Sequence, residues 1–92
     1  MKHMITWKIP PDSYKSAITD FLASGAPLPS GIKLVGRWHA PGSYCGWLVV
    51  EGDDIEAVAE HVSEWASLCE FSVTPVIDDT EAANALTKVH GK

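Results

Sequence analysis

Two strand-like runs, residues 32–39 (IKLVGRWH) and 44–51 (YCGWLVVE), are separated only by Ala40-Pro41-Gly42-Ser43. Branched and aromatic side chains dominate both runs, and so short a connection leaves room for nothing but a chain reversal. The two must therefore pair antiparallel as a hairpin. Pro-Gly favours a type II turn, whose twist does not suit a tight two-residue hairpin, so a longer, looser loop is expected. A lone hairpin is marginal in water and needs further strands or a covering helix.

The rest of the sequence supplies both. Residues 3–9 (HMITWKI) alternate as a strand, and Pro10-Pro11 ends it because neither proline can donate to a ladder. Asp12 is the expected N-cap of a helix whose apolar stripe is Tyr14, Ala17, Ile18, Phe21 and Leu22, with Gly25 as a left-handed C-cap. Residues 26–31 (APLPSG) form a loop. Asp53 and Glu56 have capping-box spacing before a second stripe of Ile55, Val58, Ala59, Val62, Trp65 and Ala66. Glu56, Glu60 and Glu64 on the opposite side form a solvated face. Residues 70–77 (EFSVTPVI) form a fourth strand, and Pro75 inside it calls for an edge position. Asp78 or Asp79 caps a short last helix, EAANALTKV, placed to frame the domain or reach a partner.

The order β-α-β-β-α-β plus a terminal helix is the ferredoxin-like α+β arrangement, a four-stranded antiparallel sheet with two helices on one face. Strand order 4-1-3-2 puts the proline-bearing strand at an edge. A chain of 92 residues fits one domain, residues 1–92. Its 46% hydrophobic and 21% charged content is that of a globular protein. A net charge of -5 without a basic run argues against nucleic acid or an anionic membrane as partner. Cys45 and Cys69 are too few for a disulfide scaffold, and buried free thiols fit a cytoplasmic protein. Neither a secretory signal nor a membrane span is expected.

Two helices cover one face of the sheet. Ile5, Trp7, Ile32, Leu34, Trp38, Leu48, Val50, Phe71 and Val73 suit that side. The other side then carries Met4, Thr6, Lys8, Val35, Arg37, His39, Cys45, Trp47, Val49, Glu51, Thr74 and Val76. This set is too apolar to leave in water as one patch. A second copy packed sheet against sheet, a dimeric α+β barrel, is the economical solution, with Val35, Arg37, His39, Cys45, Trp47 and Val49 at the interface. A one-residue slip in register would exchange the faces.

The string LPSGIKLVGRWHAPGSYCGWLVVEGDD, with Glu64-Trp65 and the later FSVTPVID, resembles the bacterial domain-of-unknown-function family 3303 from Trp7 to about Leu86. Pro29, Gly31, Gly36-Arg37-Trp38-His39, Gly46, Glu51, Trp65 and Pro75-Val76 are the most specific marks. The resemblance implies a small dimeric α+β barrel and no particular reaction. Barrels of that wider kind include cofactor-free monooxygenases, haem-degrading enzymes, small-lactone isomerases and ligand-binding modules.

The expected function is accordingly a small-ligand-binding or structural module without cofactor. The alternatives are a cofactor-independent monooxygenase or isomerase acting on a small hydrophobic or aromatic compound, and haem binding through a helical histidine, His61. For the enzyme, His39 would be the base, Arg37 an anion anchor and Glu51 the group orienting the imidazole. Each also has a plain structural role, His39 in a hydrogen bond at the interface and Arg37 in an ion pair with Glu51 across it. Cys45 is read as a buried thiol rather than a nucleophile. Trp7, Trp38 and Trp65 would cluster between sheet and helices, as core or as the walls of a cleft. His3, His39, His61 and His90 lack metal-site spacing.

Overall fold

The computed structural model of the chain describes residues 1–91. Its elements are β1 (Lys2–Lys8), a 3-10 turn at Pro11–Ser13, α1 (Tyr14–Ser24), β2 (Lys33–His39), β3 (Cys45–Glu51), α2 (Ile55–Trp65), β4 (Glu70–Val76) and α3 (Asp79–His90). The sheet is antiparallel with order β2-β3-β1-β4. That is the expected ferredoxin-like order, with Pro75 on an edge strand opposite His3.

The central strands β1 and β3 supply the core. Ile5, Leu48 and Val50 are buried against Val58 of α2, with Trp7, Leu28, Ile32, Val62 and Phe71 packed around them. The hairpin loop is as loose as Pro-Gly requires: Ser43 N–H donates to the Ala40 carbonyl, and Gly42 sits at φ 95°. Two caps differ from expectation. Asp12 falls inside the 3-10 turn that Pro10-Pro11 initiates, and α1 starts after Ser13, which makes no side-chain cap. Asp54, not Asp53, caps α2, its carboxylate accepting from the N–H groups of Glu56 and Ala57. Asp78 forms a full capping box with Glu81 on α3.

The decisive departure lies in β2. Leu34 pairs with Val50 and Gly36 with Val49, so Val35 and Gly36 together stand opposite one residue of β3. This β-bulge inserts one residue and reverses the facing of everything after it. Arg37 stands opposite Leu48 and His39 opposite Gly46, on the helix-covered side, while Trp38 stands opposite Trp47 on the open side. The expected facing of Arg37, His39 and Trp38 is therefore inverted. Strands β1, β3 and β4 carry no such insertion and keep the alternation read from the sequence.

On the open face Trp38, Trp47 and Val35 are exposed. The helix α3 buries none of its residues, leaving Leu86 and Val89 in solvent. The described residues extend 54 × 27 × 18 Å with a radius of gyration of 15.6 Å, against about 12 Å for a compact chain of this length. No helix among the described residues is long and apolar enough to cross a membrane.

Candidate functional site

The covered face does not close completely. A cavity of about 60 Å3 remains between sheet and helices. Its floor is Trp7, Leu48 and Phe71 from the sheet; Ala17, Ile18 and Phe21 of α1 form one wall, and His61 and Trp65 of α2 the other. Arg37 and His39, turned inward by the bulge, complete it from β2, and Cys69 lines it just beyond α2. His61 and Trp65 reach the same space because they are four residues apart, one turn along a helix face.

Arg37 is held firmly. Its guanidinium donates to the Gly25 carbonyl at 3.2 Å and the Ala26 carbonyl at 3.0 Å, and lies 5.8 Å from the centre of the Phe21 ring. It thus satisfies carbonyls at the C-terminal end of α1, where Gly25 adopts the left-handed conformation at φ 71°. Partial burial lowers its pKa. His39 remains exposed at the cavity's edge. Its ring meets Trp7 edge-on at 5.1 Å and Phe21 at 5.3 Å. The Trp7 indole N–H points to the Ser43 carbonyl at 3.5 Å.

His61 is only 4% exposed. Its Nδ1 is buried without a hydrogen-bond partner, the nearest acid being Glu64 Oε2 at 4.0 Å. Burial, and then the charge of Arg37, push its pKa down, which keeps the imidazole neutral. Burial pushes the Cys69 thiol up, so it stays protonated and a poor nucleophile. His3, the other buried histidine, also has an unpartnered Nδ1, but it pairs with Val50 and lines no part of the cavity.

Other expected pairings do not form. Within the chain Glu51 lies at the far end of β3 from His39, paired in register with Lys33, so there it neither orients His39 nor meets Arg37. It binds Lys2 at 3.4 Å and Lys33 at 3.5 Å instead, and the Lys2 ammonium is the chief cause of its lowered pKa. Trp7 and Trp65 line the cavity, but Trp38 is outside it. Cys45, Trp47 and Val49 lie on the open face, as does exposed Val35 at the bulge. Arg37 and His39 are withdrawn from that face by the bulge. The sequence offers His61 only as a haem ligand and gives Phe21 and Cys69 no part in a site. The one-turn spacing of His61 and Trp65 was the available signal for the first of these. Among the described residues no three His, Cys, Asp or Glu side chains gather as a metal site. The cavity is also far smaller than the roughly 300–1,000 Å3 of pockets for drug-sized ligands, so a haem macrocycle does not fit it as it stands.

The sequence profile of the domain-of-unknown-function family DUF3303 matches residues 1–90. The chain belongs to this family. No curated protein matches it. Among solved structures, SCO4226 from Streptomyces coelicolor A3(2) is similar at 18% identity, covering 83% of this chain and 99% of that one, with a TM-score of 0.42. Rv0793 from Mycobacterium tuberculosis is similar at 14% identity, covering 85% and 96%, with a TM-score of 0.49.

Proposed function

We propose that this DUF3303 protein is a small-ligand-binding module whose ligand enters between sheet and helices, and that two copies pair through the open sheet face. One observation supports the first part above all: an apolar cavity lined by an imidazole, that of His61, which is only 4% exposed. Buried polar groups are almost always paired; the enclosed Nδ1 of His61 finds no partner in the chain, and the ring's other nitrogen is left to serve a ligand's complementary group. At about 60 Å3 the cavity admits the end of a compact molecule. Ala17 is 2% exposed and lines it, so Ala17→Leu should fill it. A ligand found by thermal-shift screening of small aromatic compounds is expected to stabilise the protein and to lose that effect in Ala17→Leu. A stabilisation unchanged in the filled variant would place the ligand elsewhere and defeat this reading.

The dimer rests on the exposed Trp38, Trp47 and Val35 sharing one side of the sheet. Light scattering at micromolar concentration is expected to give about twice the 10.0 kDa chain mass; a 10.0 kDa particle would refute pairing. A second functional reading, a cofactor-independent enzyme, is favoured by the neutral imidazole beside a guanidinium, a pair able to accept a proton and stabilise an oxyanion. Turnover, rather than binding alone, of a ligand from the same screen distinguishes it.

A further inference from the structure

Building on the ligand-binding reading of the cavity, we propose that its ligand is a flat apolar molecule bearing one neutral hydroxyl, of the phenol class. That hydroxyl donates a hydrogen bond to Nε2 of His61.

The imidazole's own contacts choose the atom. Nδ1 is the nitrogen turned towards Glu64, whose carboxylate oxygen lies 4.0 Å away. A negative charge on that side favours the ring proton on Nδ1. The lone pair is then on Nε2, the nitrogen not enclosed as Nδ1 is, on a ring that lines the cavity. Nε2 then needs a donor, and the indole N–H of the floor's Trp7 is already directed to the Ser43 carbonyl.

The charge around the ring chooses the ligand's protonation state. Arg37, the nearest cation, already donates to the Gly25 and Ala26 carbonyls. Its forward fork is therefore engaged by the backbone, which removes the bidentate carboxylate grip expected from the sequence. It remains a fixed positive charge that discourages a second cation at His61. The ring stays a neutral acceptor, and its complement is a neutral O–H. The titratable groups facing His61 are Glu64 on its own helix, Arg37 and His39 on β2, and Cys69; α1 and the sheet floor contribute none. The shape chooses the body. The cavity takes a hydroxyl-bearing edge, while His39, in ring contact with Trp7 at 5.1 Å and with Phe21 at 5.3 Å, joins them in offering aromatic surfaces for the remainder of a ring.

Three probes of one shape test this: p-cresol, its methyl ether and p-toluate, each titrated while the indole N–H resonances of Trp7 and Trp65 are followed by NMR. Cresol is expected to bind at least about tenfold more tightly than the ether, the loss of roughly one hydrogen bond, and more tightly than the carboxylate. In His61→Leu the cresol and ether affinities should converge. In the unaltered protein, cresol binding should weaken as acid protonates His61, while ether binding stays flat; this holds the test open even if the variant does not fold. An ether as tight as cresol, or a tighter carboxylate, overturns the hydroxyl assignment and leaves the cavity reading standing. Failure of all three probes to move either indole defeats both.

Discussion

The two faces of this sheet carry similar side chains and meet different fates. On the covered face Trp7 lies over Gly46, with its indole N–H directed to the Ser43 carbonyl and its ring forming the cavity floor. On the open face Trp38 lies over Gly36, and 56% of it is exposed. In both cases a glycine makes room for an indole lying flat on the sheet. One indole is fixed by helices and backbone, the other only by its own strand. Composition does not set the function of such a residue; what lies above it does.

Gly46→Ala and Gly36→Ala test this difference most sharply. At Gly46 a new Cβ would run into the Trp7 ring and the Trp38 carbonyl oxygen, and neither can retreat without disturbing the hairpin or the core. A loss of about 3 kcal/mol in urea denaturation is expected, within the range for overpacking and forced backbone shifts. At Gly36 the collision is with the outer edge of the exposed Trp38 ring, which can swing away. Less than about 1 kcal/mol is expected there. Equal losses at the two positions would mean that Trp38 is as firmly covered as Trp7, and would point to a tightly packed second copy.

That second copy is addressed by Trp47→Arg. Trp47 is 44% exposed and faces away from the helices, so the chain's own fold should tolerate the charge. A tryptophan at the centre of an interface typically accounts for about 2 kcal/mol or more of affinity. The dissociation constant of the proposed dimer, followed by analytical ultracentrifugation, is therefore expected to rise at least ~30-fold, with cavity binding unchanged. Arg37→Leu acts on the covered face alone. It strands the Ala26 carbonyl, whose residue is buried, and the Gly25 carbonyl, which solvent can reach. About 1–2 kcal/mol of stability should go, with no change in oligomeric state.

How much of this was written in the sequence follows the same division. The alternation in β1, β3 and β4 and the stripes of α1 and α2 set the fold class and strand order, because each pattern repeats over several residues and reinforces itself. The candidate site depended on one inserted residue. Nothing in VGRWH marks which of Val35 or Gly36 is the extra one, although a glycine inside a strand is itself a sign of a bulge or a close approach. Counting without the bulge sent Arg37 and His39 to the open face and Trp38 to the covered one. Glu51 shared that expected face with both, but within one chain the length of β3 separates them. The displaced caps at Asp12 and Asp53 are errors of a different kind, since element ends shift by a residue or two under local turn chemistry. They moved no side chain into or out of the cavity.

Acid titration gives the finest comparison, because each face holds one group that titrates on the acid side and has a displaced pKa. His61, on the covered side, has a folded pKa below the ordinary imidazole value of about 6.5. The unfolded chain therefore binds that proton first, and falling pH draws the equilibrium towards unfolding. Its neutral state supports the fold fully above about pH 6.5, and that support declines below it until the folded ring also protonates. Glu51, on the open side, is depressed by Lys2 and Lys33. Its support is present above the ordinary carboxylate value of about 4.3 and is lost as pH falls through the lower folded value. Both groups destabilise in acid, in separate windows. Urea midpoints measured from pH 7.5 to 3 should thus fall in two steps. His61→Leu is expected to flatten the upper step alone, and Glu51→Gln the lower one. An upper step that survives His61→Leu would mean that another group governs it and that the buried imidazole is not the proton-sensitive point of the covered face.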